Sequence, residues 1–398
     1  MLYKVLVIAD LHWGVMDDIK MYDQYQYILD YIRSNPLDMI VIAGDYFELK
    51  LYLNSRRAIR ALEWFDELYK LAKENGVQKI RMIRGTLSHD ADQMDVFKKY
   101  SGDDLFFRVI ENCMTEESLP GLQCLYCPDE IMTTKNYVLK YIDALLSKND
   151  VAFFHGSFDV VLRQDINVEE LMKQEDEDDE MNVITSITFP MNYFQQIIKY
   201  CCVGGHWHDG NEYENIYYVG SPTRWIHGED NPKGIAILTI DTEKEEYEYE
   251  KILNPRCPQF ITHEIRPDNI EDVDQYMSSI ENLIREIKAD ISALEDIHIE
   301  YNIRIVVYET EKTIVSQNVI RVLKDAFVDT DNVVIRIKSK DKKKKKKDEA
   351  IEEEKKDYSF IKNKSLSVAK QIYEFIKIKN GEEVPLDYIE KMVDKFST

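Results

Sequence analysis

Residues 3–14 read YKVLVIADLHWG, and residues 38–48 read DMIVIAGDYFE. Each is an apolar run of strand length that ends in an aspartate. A run that is apolar without alternation suits a strand buried on both faces, as in a parallel sheet covered by helices. Between the two runs, residues 18–34 carry apolar residues at helical spacing and stop before Pro36. Further on, 55–75 reads as an amphipathic helix. Ser55 can cap it, Ala58, Leu62, Phe65, Leu68 and Ala72 recur on one face, and Gly76 ends it. Residues 77–84, VQKIRMIR, give a third strand. Strand, helix, strand, helix, strand predicts an α/β layer with parallel strands.

Later strands fit 105–110, 123–127, 151–155, 199–204, 215–219, 234–240 and 245–251. The last four follow closely with turn residues between them, so a second, mostly antiparallel sheet is expected. PRCP at 255–258 reads as a boundary. After it come a strand (259–265), a helix (268–289), a strand (298–308), a helix (315–326) and a strand (332–338), a small α+β unit. Six consecutive lysines, Lys342 to Lys347, open a Lys/Glu-rich segment read as a linker, with a nucleic-acid tether as the sharper alternative. Two short helices, 365–379 and 385–396, close the chain. Their apolar stripes, Leu366 to Ile376 and Leu386 to Phe396, are marginal alone and call for a docking partner.

The chain has 398 residues, enough for two or three domains, and 44% of them are hydrophobic, which excludes wholesale disorder. With 51 Lys+Arg against 74 Asp+Glu the formal charge is -23, which speaks against binding nucleic acid by bulk positive charge. It does not speak against a metal-dependent enzyme acting on an anion, because the metals bring their own charge. The run from Asp165 to Glu180 holds nine acids and one lysine and reads as a solvated loop. No signal-like or membrane-spanning run is seen, so a soluble, non-secreted protein is expected. Six cysteines in this length do not resemble a disulfide framework. Cys124 and Cys127 form a C-x-x-C without a second pair to close a zinc site, and Cys201 and Cys202 read as strand residues.

The chemistry gathers at strand ends. Five of the eight histidines sit just past a predicted strand: His12 in DLHWG, His89 in GTLSHD, His155 in HG, and His206 and His208 in GHWHDG. Asp45 follows the second strand in the same way. In open α/β sheets, sites form outside the carboxyl ends of the strands, so these ends can converge on one crevice. In D-x-H and H-x-H, residues i and i+2 share a face and present two ligands together. Carboxylate with imidazole suits Mn, Fe or Zn. Two metals about 3.5–4 Å apart can activate a water and neutralise a phosphate at once.

The ordered set DLHWG, GDYFE, G…SHD, HG, GHWHDG resembles the calcineurin-like metallophosphoesterase superfamily over about residues 1–255. YYVGSPTRW and NPKG add a likeness to its SbcD nuclease branch, including phage recombination endonuclease subunits. The resemblance implies a four-layer sandwich of two mixed β-sheets flanked by helices (1–255), a small α+β capping, DNA-binding domain (256–338), a linker (339–360) and a helix pair (361–398). It implies a DNA nuclease, 3′-to-5′ exonuclease and single-strand endonuclease in type, that serves recombination, repair or replication. It also implies two divalent metals, Mn first, with Mg, Fe or Zn as alternatives. Asp10, His12, Asp45 and His208 would hold one, and Asp45, His155 and His206 the other. His89 would stabilise or protonate the leaving oxygen, and Asp90 would orient His89.

The superfamily's Gly-Asn-His-Asp string is replaced here by Gly85-Thr86-Leu87-Ser88-His89-Asp90. Ser88 aligns best with the missing asparagine ligand and Thr86 is the alternative, so a weaker second site is expected. Arg56, Arg57 and Arg60 are candidate DNA-backbone contacts or a solvated helix start. Arg224, with Trp225 and His227, is expected to line the cleft, and Trp207 to pack. The branch implies an SbcC-type coiled-coil ATPase as partner of the helix pair, a homodimer, DNA as substrate, no membrane, and the cytoplasm of a bacterial or phage-infected cell. Two other readings stand beside it: a phosphoesterase for small nucleotides or phosphoproteins, and a DNA-tethering scaffold with a weakened site.

Overall fold

The computed structural model describes residues 1–52, 55–102, 105–164, 166–168, 187–266, 273–308, 313–338 and 370. The expected linker and helix pair, and nearly all of the acidic run at 165–180, lie outside the described residues.

In chain order the elements are β1 (Leu2–Ile8), α1 (Asp18–Ser34), β2 (Met39–Ala43), α2 (Arg56–Glu74), β3 (Lys79–Ile83), a 3-10 helix (Ala91–Tyr100), β4 (Phe107–Ile110), β5 (Met114–Leu119), β6 (Leu122–Cys127), α3 (Thr134–Lys140), α4 (Ile142–Leu145), β7 (Asn149–His155), β8 (Ser157–Phe158), β9 (Thr188–Phe189), α5 (Met191–Ile197), β10 (Ile198–Gly205), β11 (Glu212–Tyr213), β12 (Ile216–Tyr218), β13 (Gly234–Asp241) and β14 (Glu246–Leu253). Helix starts follow their sequence signals. Asp17 accepts the N–H groups of Ile19 and Lys20 at 3.0 and 3.3 Å, and Ser55 Oγ accepts that of Ala58 at 3.2 Å.

One sheet runs β14-β13-β1-β2-β3-β4, with β1 to β4 parallel and β13–β14 an antiparallel hairpin added beside β1. The other runs β11-β12-β10-β7-β6-β5, and its central pairs β12–β10, β10–β7 and β7–β6 are parallel. The expected second, mostly antiparallel sheet is therefore corrected twice. Its last two strands join the first sheet, and the centre of the second is parallel. The reason lies in β13, GIAILTID, which is apolar on both faces and is buried as the neighbour of β1 rather than at an edge.

Alternation along the strands fills three cores. Leu6, Ile8, Ile40 and Ile42 face α1 and α2 with Tyr25, Ile28, Phe65 and Leu68. Val5, Val7, Val41, Tyr126, Phe153 and Val203 lie between the sheets. Leu125, Ala152, Phe154 and Cys202 face α3, α4 and α5 with Tyr137, Leu145 and Phe194. Helix, sheet, sheet, helix is the expected four-layer sandwich. Each fully buried aliphatic or Phe side chain contributes about 1.5–3 kcal/mol through removal from water. All six cysteines are buried and free.

Later elements are β15 (Gln259–Ile265), α6 (Val273–Asp296), β16 (Tyr301–Tyr308), α7 (Thr313–Ala326) and β17 (Val333–Lys338). The three strands pair in that order. Residues 268–272 of the helix expected at 268–289 lie outside the described residues; at its other end the helix continues to Asp296, because apolar residues such as Ile291 and Leu294 extend its face. By contacts the chain divides into two compact units. The first holds Met1–Thr262 with Arg285–Arg304 and Asp331–Val334, and the second includes His263–Ile284 and Ile305–Thr330. No helix among the described residues is long and apolar enough to cross a membrane.

Candidate metal centre

Past their strand ends, β1 and β2 stay tied. Asp10 N–H donates to Gly44 O at 3.2 Å, His12 N–H to Asp45 O at 2.9 Å, and Trp13 N–H to Tyr46 O at 2.8 Å. Asp10, His12 and Asp45 hold φ values of 51°, 47° and 47°, a region costly for residues with a Cβ. Such kinks persist where neighbouring bonds over-determine them, and they gather at functional sites. His206, at the end of β10, has φ 104°. Two glycines make room. A Cβ on Gly44 would lie 2.2 Å from His155 Nδ1, and one on Gly85 would lie 2.1 Å from Asp45 N.

These strand ends bring three groups of ligand-type side chains together: Asp10, His12 and His208; Asp45, His155 and His206; and His12, Glu48 and His89. Within each group the ligand atoms lie within 4.8 Å of one another. Asp45 Oδ2 is 3.2 Å from His155 Nε2 and 3.7 Å from His12 Nε2. Its Oδ1 accepts the N–H of Thr86 at 2.6 Å. His155 Nδ1 donates to Ala43 O at 2.8 Å, which turns Nε2 toward Asp45. Asp10 Oδ1 accepts His206 N–H at 2.8 Å.

Asp10 Oδ2, both ring nitrogens of His12 and His206 Nδ1 are buried and make no aligned hydrogen bond among the described residues. Buried polar atoms left in this way call for a partner. A set of carboxylate oxygens and imidazole nitrogens fits divalent Mn, Fe or Zn. The site's residues therefore fit a pair of cations.

Without cations the electrostatics are strained. Burial raises the Asp10 carboxyl to about 6, against the pull of His155. Burial works against the Asp45 charge too, but His155, His12 and His89 outweigh it and hold Asp45 below the usual carboxylate range. Burial opposes a charge on His155, yet Asp45 and then Asp10 raise it to about 10. Burial and His155 push His206 down to about 4, and burial and His12 push His208 down to about 3. A dense set of shifted groups in one crevice marks a functional site.

Among the residues singled out from sequence, Ser88 is exposed on a turn, whereas Thr86 Oγ1 lies 3.3 Å from Asp45 Oδ2 and 3.4 Å from His155 Nε2. Of the two hydroxyls left open from sequence, Thr86 is the one beside Asp45 and His155, because the turn after β3 brings residue 86, not 88, over Asp45. Asp90 does not pair with the His89 ring. It is buried and accepts Gly85 N–H at 2.7 Å and Phe47 N–H at 3.1 Å, tying the two loops, while His89 Nδ1 pairs with the carbonyl of Glu48.

Arg224 does not reach toward a ligand. Its guanidinium contacts Glu229 O (2.7 Å), Pro258 O, Asp230 O and Asn231 O (each 3.3 Å) and Cys257 Sγ (3.5 Å). Arg57 donates to Gly14 O at 3.0 Å, and Arg60 pairs with Glu63 at 2.9 Å. Arg56 is exposed at the start of α2. Trp207 packs in the third core and donates to Ser157 Oγ at 3.1 Å. Trp225 stands edge-on to His12 and His208, with ring centroids 5.0 and 4.9 Å away.

Sequence reasoning passed over Glu48 and Lys233. Glu48 stands in the quoted GDYFE string. Lys233, in NPKG, is buried and donates to His208 O at 2.8 Å, with Glu229 at 3.4 Å.

A family model described as calcineurin-like phosphoesterase matches residues 3–228. Among solved structures, the chain is similar to a dimetal phosphatase from Danio rerio at 12% identity, over 59% of this chain and 92% of that one, with a TM-score of 0.28. No curated protein matches the chain.

Proposed function

The chain belongs to the calcineurin-like phosphoesterase family, and on that premise we propose that it is a two-metal nuclease hydrolysing phosphodiester bonds in DNA. The observation that carries the hydrolase reading is the pair of triads Asp10-His12-His208 and Asp45-His155-His206, each with two members buried and one half-buried, at converging strand ends. Asp10, His12 and His208 would hold one cation and His155 and His206 the other, with Asp45 between them. Bound cations supply Lewis acidity and lower the pKa of water toward neutrality. Thr86 N–H fixes the Asp45 carboxylate, and Ala43 O fixes the His155 tautomer. His89, held through Nδ1 by Glu48 O, is left with Nε2 as the atom that exchanges a proton with the leaving oxygen. Trp225 covers the rings of His12 and His208 on one side.

DNA as substrate rests on the likeness of DLHWG, YYVGSPTRW and NPKG to the SbcD branch. With it go a 3′-to-5′ exonuclease with single-strand endonuclease action, a homodimer, an SbcC-type ATPase received by residues 361–398, and a cytoplasmic setting. Deleting 360–398 should abolish co-purification with that ATPase and spare simple phosphodiesterase activity. A second reading, a phosphoesterase for small nucleotides or phosphoproteins, is favoured by Arg224, whose guanidinium is already bound to protein atoms. One assay separates them: linear duplex DNA and bis-p-nitrophenyl phosphate with Mn²⁺, for wild type and His89→Ala. Cleavage of both substrates by wild type supports the nuclease. Cleavage of the small ester alone, even with the ATPase present, supports the second reading.

A further inference from the structure

We infer that Glu48 is a positioning residue: its carboxylate sets the orientation and donor strength of His12 and so separates the affinities of the two cation sites. The inference rests on the two-cation reading above. His12 Nδ1 lies 2.7 Å from Glu48 Oε2, an ion-pair contact without hydrogen-bond alignment, while its Nε2 faces Asp45 Oδ2 at 3.7 Å. A carboxylate accepts and cannot donate, so Nδ1 carries the proton and Nε2 keeps the lone pair for a cation. The ring has no other way to turn. It is 1% exposed and meets His89, His208 and Trp225 at centroid distances of 4.8, 4.7 and 5.0 Å.

His155 makes the contrast. It is fixed in the same sense, Nδ1 to an acceptor and Nε2 toward Asp45, but its acceptor is the neutral carbonyl of Ala43. A carboxylate partner raises the basicity of a ligating imidazole more than a carbonyl does. The site holding His12 is therefore the tighter one, and Glu48 makes it so. Glu48 also spans the crevice. Its side chain holds His12 while its main-chain carbonyl holds His89, so one residue sets a metal ligand and the proposed proton donor together.

The test uses the full-length chain stripped of metal. Wild type, Glu48→Ala and Glu48→Gln are titrated with Mn²⁺ by calorimetry, and the thermal midpoint of each metal-free protein is measured. Wild type should show two unequal binding events. Glu48→Ala should weaken the tighter one by roughly 10–100-fold and leave the other unchanged. Glu48→Gln keeps an acceptor of the same length without the charge and should fall between. The metal-free midpoint should fall only slightly in the variants, where the Glu48–His12 contact is lost, and not in proportion to affinity. Unchanged affinities in Glu48→Ala, equal weakening of both events, or a midpoint that falls in step with affinity would overturn the inference. If Glu48→Ala does not fold, Glu48→Gln decides by the same criteria. A wild type that binds no Mn²⁺ overturns the two-cation reading itself, and the inference with it.

Discussion

Asp10 Oδ1 accepts the main-chain N–H of His206 at 2.8 Å, joining residues 196 positions apart. The bond ties the end of β1, in one sheet, to the end of β10, in the other. It uses one carboxylate oxygen and leaves Oδ2 buried with no hydrogen-bond partner among the described residues. The site is thus built where two sheets meet, and its geometry depends on short main-chain bonds as much as on ligand identity.

Thr86 is the hydroxyl beside Asp45 and His155, and Ser88 is exposed. A neutral hydroxyl is a poor substitute for an amide oxygen at a cation. Thr86→Asn should therefore tighten the weaker of two Mn²⁺ binding events, measured by titration calorimetry, by roughly tenfold. Ser88→Asn should change neither. Tightening by Ser88→Asn alone would reverse the assignment.

His89 Nδ1 is held by Glu48 O, so the ring is placed without a carboxylate partner. If it passes a proton to the leaving oxygen, His89→Ala lowers kcat by roughly 10²–10⁴-fold on bis-p-nitrophenyl phosphate. Mn²⁺ stoichiometry should stay at the wild-type value. Loss of a bound Mn²⁺ in this variant would make His89 a ligand instead.

The candidate ligands were legible in the sequence but their supports were not. Asp10, His12, Asp45, His155, His206 and His208 stand out because apolar strands stop at them, and a strand end is a local signal; the structure brings them into two candidate groups. The parallel α/β layer was legible from the same runs, whereas the four-layer sandwich was implied by the likeness of the strand-end motifs to a family. The destination of β13 and β14 was not, since an apolar strand does not state which sheet it joins. Nor was the split between Thr86 and Ser88, which depends on the turn after β3. Asp90 was misread for a related reason: a carboxylate next to a histidine in sequence can face backbone N–H groups instead, as it does at Gly85 and Phe47.

Arg224 was read as a cleft residue, yet it closes the 224–231 loop onto 257–258. Removing a cation from several carbonyls leaves acceptors unsatisfied, at a cost on the order of 3 kcal/mol. Arg224→Ala should lower stability by that amount in urea unfolding. It should leave the salt dependence of DNA binding, followed by fluorescence anisotropy at two ionic strengths, unchanged. A shallower salt slope would show a phosphate contact after all.

The shifted imidazoles set a pH dependence whose sign is fixed by the fold. His155 is raised from its ordinary 6.5 to about 10 by Asp45 and Asp10 acting against burial, and His12 is raised by Glu48 and Asp45 acting against burial. A group whose folded pKa lies above its unfolded value stabilises fully below the unfolded pKa and loses that contribution as pH rises toward the folded one. Asp10 and Asp90, both about 6, and His206 and His208, about 4 and 3, change charge mainly below pH 6.5. Lys251, lowered to about 8 by burial and Lys233, acts above that value. Between pH 6.5 and 8 the raised histidines therefore dominate, and the metal-free chain should lose stability by at most about 1.4 kcal/mol per pH unit per group. Thermal midpoints across that window should fall in wild type and fall less in His155→Gln. Saturating Mn²⁺ should reverse the trend, because cations require neutral imidazoles and bind better as pH rises. A metal-free midpoint that rises from pH 6.5 to 8 would mean that His155 is not held as the imidazolium, and the Asp45–His155 pair would then have to be neutral.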